Sequence, residues 1–247
     1  MEILSKNKLS LFRKLNQKKY RDETGLFLIE GLRLAEEAIN AKIFLEAVII
    51  RNNSDTPVWL GKAKESVEFF GANQTQMDQL SDTKTPQAVI LIGRIPEVKI
   101  WQNQHSPLTL AVDRIRDPGN FGTILRTASW FGVNQIVPSE DCVDVYSPKV
   151  VRASMGALFH VDVYKAVDLD TFINDWEGNV LSLDMHGEPI ENIDKTPETL
   201  LVIGSEAHGV SRNILKNSTP IRISKKGTGE SLNAGIAAGI ALWELTS

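Results

Sequence analysis

The chain is 247 residues long, 42% hydrophobic and 23% charged, with a formal net charge of −4. That composition suits a globular protein with a substantial core, and the acidic balance gives no global attraction for nucleic acid, so any such contact must rest on a local patch. No apolar run approaches the ~20 residues needed to cross a bilayer, the N-terminus lacks a secretory pattern, and the single Cys142 excludes an internal disulfide; the expectation is a cytoplasmic protein with no membrane association.

Taken in order, the chain opens on a basic stretch. Lys6, Lys8, Arg13, Lys14, Lys18, Lys19 and Arg21 precede Leu26 with only Glu2, Asp22 and Glu23 against them. Leu4, Leu9, Leu11, Phe12 and Leu15 fall at helical spacing, which predicts one amphipathic helix with a basic face. Such a face is either solvated surface or a phosphate contact weakened by salt, with Lys14, Lys18, Lys19 and Arg21 as the candidates. Strand GLFLIE, Gly31 and a helix carrying Leu32, Leu34, Ala35, Ala38 and Ile39 follow. LEAVIIR is a further strand, and Asp55-Thr56-Pro57 a helix cap with proline in the first turn. VEFFGAN, TQMDQLSD and QAVILIG read as strand, short helix and strand. Residues 1–95 thus form a small α/β domain, and 96–107, aperiodic and proline-bearing, an interdomain linker.

Residues 108–247 alternate more cleanly. Strand LTLAVD, loop RIRDPGN and helix FGTILRTASWF, closed by Gly132, are followed by strand NQIVP and helix SPKVVRASMGALF. Then come strand HVDVY, helix LDTFINDW, strand NVLSL, strand TLLVIG, helix SRNILKN, strand PIRIS and a final helix. Strands separated by helices imply a mostly parallel sheet with helices on both faces, and the continuously apolar strands fit that burial.

Three loops stand out. In the first, Asp113 to Gly122, Pro118-Gly119 forces a turn and Asn120 is a natural N-cap, which places Arg126 in the second turn of the helix, on a different side from its apolar face. The second runs from Gly204 through Ser205, Glu206 and His208 to Gly209, and the third from Gly227 to Asn233. Each admits a bland explanation: an exposed arginine, an ordinary strand-to-helix turn, a helix cap at Ser231 or Asn233. No dinucleotide fingerprint, P-loop or nucleophile elbow is present, and the four histidines and one cysteine have no metal-site spacing. The residues alone reach a polar ligand crevice at the carboxyl ends of parallel strands.

The three loops, in this order, resemble the three motifs of the SpoU (TrmH-type) RNA ribose methyltransferases. Asp117-Pro-Gly-Asn-Phe-Gly with Arg126-Thr-Ala resembles the first, Leu201-Val-Ile-Gly-Ser-Glu with Gly209 the second, and Ile221-Arg-Ile with Glu230-Ser-Leu-Asn the third. The opening domain, with Phe27-Leu-Ile-Glu-Gly-Leu-Arg, resembles a small L30e-type RNA-binding domain. The resemblance implies a trefoil-knotted, SPOUT-type α/β fold, against the general rule that chains do not thread themselves. It also implies a homodimer and methyl transfer from S-adenosylmethionine to a ribose 2′-hydroxyl, with ribosomal RNA favoured over transfer RNA. Arg126 is implied beside that hydroxyl, either as base or, still protonated, as stabiliser of the developing alkoxide. Asn120 would position the ribose, Glu206 and Ser231 would orient Arg126 or its neighbours, and Asn233 would hold the bottom of the site. Gly204, Ile223, Leu232, Glu206 and Asn233 would frame the cofactor. Ala207, Ala234-Gly235 and Lys225-Lys226 depart from the family pattern without touching these side chains. The competing readings are a base methyltransferase of the same fold and a non-catalytic RNA-binding assembly factor.

Overall fold

A computed structural model describes residues 1–63, 67–97, 99–102 and 106–247. Val98 and 103–105 of the expected linker, with His105, therefore lie outside the described residues. Two compact units are present, the first comprising Met1–Glu97 with Asp144–Phe159, the second Val98–Val143 with His160–Ser247.

The first unit holds strand β1 (Glu2–Ile3), helices α1 (Lys6–Lys14) and α2 (Lys18–Thr24), strand β2 (Leu26–Glu30), helix α3 (Leu32–Asn40), strands β3 (Leu45–Arg51) and β4 (Glu68–Ala72), helix α4 (Gln74–Leu80) and strand β5 (Val89–Arg94). The strands form one mixed sheet in the order β1-β4-β3-β5-β2. One face buries Leu28, Ile49, Phe70 and Ile92 beneath Phe12, Leu15, Met77 and Leu80 from the α1 and α4 region. Each such side chain contributes roughly 1.5–3 kcal/mol on leaving water. Thr56-Pro57 leads into a single 3₁₀ turn, Val58–Lys62, in place of a helix.

The basic N-terminus is two helices, not one. The chain breaks over 15–17, and Leu11 faces solvent while Leu4, Phe12 and Leu15 take the core. The division decides the fate of Arg21. Its side chain is 3% exposed; its guanidinium donates to the Leu15 carbonyl at 2.6 Å and pairs with Asp144 through Nε at 2.8 Å and through Nη2. Arg21 is therefore spent inside this unit and drops out of the RNA-contact set, because its buried guanidinium would have to give up both the half-buried Asp144 carboxylate and the Leu15 carbonyl to reach a phosphate. Lys14, Lys18 and Lys19 remain exposed, the latter two in i,i+4 pairs with Asp22 at 3.9 Å and Glu23 at 3.8 Å. Such exposed pairs are worth little and leave the cations open to phosphate.

The Asp144–Phe159 segment lies within the span expected for the second domain but clusters with the first unit. Its helix α6 (Pro148–Ala153) packs on β2, Tyr146 meets the Phe27 ring edge-on at 5.1 Å, and Arg152 pairs with Asp82 and lies 3.7 Å from the buried Glu30. The segment is not one continuous helix. Met155 (φ 51°) and Gly156 (φ 94°) break it before a short 3₁₀ turn, Ala157–Phe159.

The second unit holds β6 (Leu108–Asp113), α5 (Pro118–Trp130), β7 (Gln135–Pro138), β8 (Asp162–Val163), α7 (Leu169–Asn174), β9 (Asn179–Pro189), β10 (Thr199–Gly204), α8 (Arg212–Lys216), β11 (Thr219–Arg222) and α9 (Ala234–Thr246). Its sheet runs β11-β9-β10-β6-β7-β8, and every described pairing is parallel. The mostly parallel α/β architecture read from the sequence is the one present. Ala111, Val137, Leu200 and Val202 line one face with Leu169, Ile173, Val210 and Ile214 from the α7 and α8 region. Successive strand residues alternate sides, so Leu201 and Ile203 turn to the other face, where α9 meets β10 and packs along α5. Strand β9 continues six residues beyond the expected NVLSL. Gly187 permits this, since a Cβ there would sit 2.3 Å from the Pro220 carbonyl carbon on β11.

Candidate active site

Each of the three loops starts at a strand end and closes onto a helix. The first leaves β6 at Asp113. Asp117, not Asn120, caps α5, its Oδ1 accepting from the Asn120 backbone N–H at 2.8 Å, and Pro118 takes the first helical position, where a missing N–H costs nothing. The helix therefore begins three residues earlier than expected. Arg126 falls in its third turn, and the buried Asn120 side chain is released from capping. The second loop doubles back so tightly that a Cβ on Gly204 would lie 2.1 Å from the Gly209 carbonyl carbon. The Gly209 N–H closes the turn on the Ser205 carbonyl at 2.8 Å, with Gly209 itself at φ 61°.

Asn233 joins the loops. It caps α9, its Oδ1 accepting from the N–H groups of Gly235 at 3.0 Å and Ile236 at 3.2 Å. Those two donors fix which side of the amide is oxygen. Its Nδ2 then donates to Asn120 Oδ1 at 2.7 Å and to Glu206 Oε1 at 2.6 Å, and the Ala234 N–H adds a 3.3 Å bond to the same carboxylate oxygen. An amide offers two N–H donors and two acceptor lone pairs, and Asn233 uses all four. It orients its neighbours and has nothing left for a ligand. Asn120, with its oxygen engaged, keeps its amide donors, and Glu206 keeps Oε2 as an acceptor.

Beside this junction lies an open cavity of about 970 Å³, within the range of small-molecule sites. Gly204, Glu206, Ile223, Ser231 and Leu232 line it, as does His208, while Ala234 and Ala237 of α9 lie beneath. Asn120 and Asn233 stand outside the lining, and Ser231 makes no hydrogen bond to the Asn120–Asn233–Glu206 network. Arg126 is also outside it, exposed on α5, with no hydrogen bond or ion pair to the described residues. The structure thus joins Asn120, Glu206 and Asn233, lines the cavity with Gly204, Ile223, Leu232 and Ser231, and leaves Arg126 apart from both. Asp184, Met185 and His186, on the unforeseen extension of β9, form a further wall; only Gly187, a strand glycine marking close backbone approach, signalled it in the sequence. Among the described residues no group of three or more His, Cys, Asp or Glu is placed to hold a metal ion.

A parallel sheet with a glycine-turned cavity of mixed apolar and polar lining at the carboxyl ends of β10 and β11 is the ligand site of an α/β enzyme. Residues 107–243 match the SpoU rRNA Methylase family, and residues 6–91 the MRM3-like substrate binding domain. The chain is 26% identical to the 23S rRNA (guanosine(2553)-2′-O)-methyltransferase RlmP of Bacillus subtilis, over 99% of this chain and 98% of that protein. It is 30% identical to an uncharacterized tRNA/rRNA methyltransferase of Synechocystis, over 94% of this chain and 88% of that one. The solved structure of an AdoMet-bound rRNA methyltransferase from Sinorhizobium meliloti superposes with a TM-score of 0.86 at 28% identity, covering 99% and 96% of the two chains. The chain belongs to the SpoU rRNA methylase family. It is an RNA methyltransferase with S-adenosylmethionine as cofactor.

The cavity fits that cofactor. Ile203, Ile223 and Leu232 give apolar surface for a flat base, and Asp184 and Glu206 give carboxylates for a sulfonium and an ammonium.

Proposed function

We propose that this chain methylates a ribose 2′-hydroxyl of ribosomal RNA. The observation that carries the proposal is the Asn233 junction, which fixes Asn120 as a donor and Glu206 as an acceptor at the edge of the cavity. Bound S-adenosylmethionine supplies an electrophilic methyl group. The chain's own residues then align the attacking oxygen and hold the charge that develops on it. Asn120 donates to the ribose, Glu206 orients the approaching polar groups, and Gly204, Ile223 and Leu232 frame the cofactor with Ser231 at the rim. Arg126, as a guanidinium cation, steadies the charge that develops on the attacking oxygen, whose proton passes to solvent.

A homodimer belongs to the same proposal. Trp130, 83% exposed, and Ile236, Ile240 and Trp243 leave an apolar surface on α5 and α9, and a second copy is the partner that would cover it. The return of the chain from the edge strand β11 to pack α9 along α5 supports the trefoil knot. A cytoplasmic location follows the reading of a ribosomal RNA substrate. Guanosine 2553 of 23S ribosomal RNA is the modification named for the RlmP relative, and 23S ribosomal RNA is accordingly the substrate to test first.

Incubation with ribosomal RNA and labelled S-adenosylmethionine is expected to yield label that survives alkaline hydrolysis as a dinucleotide, because a 2′-O-methyl group removes the nucleophile that cleaves the chain. Label in mononucleotides would assign a base instead. Charge reversal at Lys14, Lys18 and Lys19 is expected to lower RNA affinity and flatten its dependence on salt, by roughly one unit of log–log slope for each phosphate no longer neutralised. An unchanged slope would return these lysines to solvated surface.

A further inference from the structure

Among the described residues, Arg114 is one of five non-glycine positions with a left-handed backbone, at φ 55°, and it sits directly at the mouth of the first loop. Glycine would occupy such a position without strain, so a side chain retained there calls for a reason. The reason is visible in what the guanidinium holds. Its Nε and Nη2 grip the two carboxylate oxygens of Asp113, each at 3.0 Å, and Nη2 also reaches the Gly209 carbonyl at 3.4 Å. Asp113 is 3% exposed, and its Oδ2 accepts from the Ser211 N–H at 3.0 Å. The Arg114 backbone is pinned in turn, its N–H donating to Ser139 Oγ at 2.9 Å. Asp113 also lies in register with Gly204 across β6 and β10. The near end of the second loop is therefore set by the sheet, and its far end by the carboxylate and the guanidinium.

We propose that Arg114 is a positioning residue for the cofactor, fixing the 204–211 loop that lines the cavity. It touches no ligand itself. A fork of parallel N–H donors holds a carboxylate in one orientation, and that orientation sets the position of Ser211 and Gly209. The proposal rests on S-adenosylmethionine occupying this cavity.

The test is calorimetric titration of the full-length protein with S-adenosylmethionine, alongside thermal unfolding and steady-state kinetics. Arg114→Gly relieves the backbone while removing the fork. It is expected to lower the melting temperature, because the buried Asp113 loses its partner while glycine gives back only the backbone strain, and to weaken cofactor binding five- to tenfold and raise the cofactor KM by the same factor, with kcat at saturation within twofold. Arg114→Asn, which also tolerates the left-handed region, should repeat the loss, and Arg114→Lys, with one compact donor head, should fall between. Affinity within twofold of wild type in both the glycine and asparagine variants would overturn the proposal. So would a lowered melting temperature with unchanged affinity in the folded fraction, the signature of a merely structural pair. Wild-type protein that fails to bind S-adenosylmethionine would instead remove the cofactor reading on which the inference stands.

Discussion

Arg126→Ala is expected to lower ribose methylation by about 10²–10³-fold in kcat while leaving S-adenosylmethionine affinity within twofold. The two halves of that expectation have separate sources. The affinity should hold because Arg126 stands outside the cavity lining and makes no hydrogen bond or ion pair within the described residues, so its removal disturbs no wall. The rate should fall because a positive charge placed beside a forming alkoxide acts only in the transition state, and an interaction of that kind appears in kcat and not in binding. The order across a series identifies what matters in the side chain. Charge as the active property predicts that Arg126→Lys retains more activity than Arg126→Gln, with the glutamine variant near alanine. Glutamine equal to or above lysine would show that hydrogen bonding, not charge, carries the role. Full activity in the alanine variant would remove Arg126 from the mechanism.

Under the proposed homodimer, the exposed placement of Arg126 on α5 would tie catalysis to assembly. On the same two helices lie Trp130 and the apolar residues Ile236, Ile240 and Trp243 of α9. A second copy covering that surface would remove water around Arg126, and a charge–charge interaction worth ~1 kcal/mol at 4 Å in water strengthens several-fold in a drier setting. Dimerisation and turnover are then expected to fall together when the apolar surface is disrupted.

How far the sequence could reach is clear from particular residues. The strands β6, β7 and β10 were readable because parallel strands buried on both faces are continuously apolar, and the glycines of the second loop were enough to mark its turn. The start of α5 was misplaced by three residues, at Asn120 instead of Asp117, because asparagine and aspartate cap equally well; the proline at the first helical position was the signal that separates them. The fate of Arg21 was not readable. Its partner Asp144 is 123 residues away, and nothing local separates an arginine spent on a distant carboxylate from one offered to solvent. The extension of β9 was hidden for a related reason: Asp184 to Glu188 form a strand through backbone pairing and a glycine-permitted approach to β11, with side chains that carry no alternating apolar signal. The dual use of Asn233 was half visible, as a cap, while its bonds to Asn120 and Glu206 depend on three loops converging.

That convergence makes Asn233 the position where stability and chemistry can be separated by one atom. Asn233→Ala removes the cap of α9, a loss of about 1 kcal/mol, and also leaves Asn120 without its partner, so both folding and activity should suffer. Asn233→Asp is the sharper variant. An aspartate still accepts from the Gly235 and Ile236 N–H groups, and its charge is favourable at a helix N-terminus, so the cap of α9 is kept and the melting temperature should fall less than in the alanine variant, by what the lost Nδ2 bonds and the repulsion with Glu206 cost. The lost Nδ2, however, faces both other loops. A carboxylate oxygen in its place repels Glu206 and offers Asn120 an acceptor where it had a donor. Asn120 then turns its amide over to donate inward and presents its oxygen outward, reversing the polarity shown to the ribose. Activity is expected to fall by about 10²-fold or more with the fold intact. Because Asn233 acts through Asn120, adding Asn120→Ala to Asn233→Asp should cost much less than the sum of the two single losses, and a double-mutant cycle measures that coupling directly. Strict additivity in the cycle, or an aspartate variant with wild-type turnover, would show that Asn120 does not depend on Asn233 for its orientation.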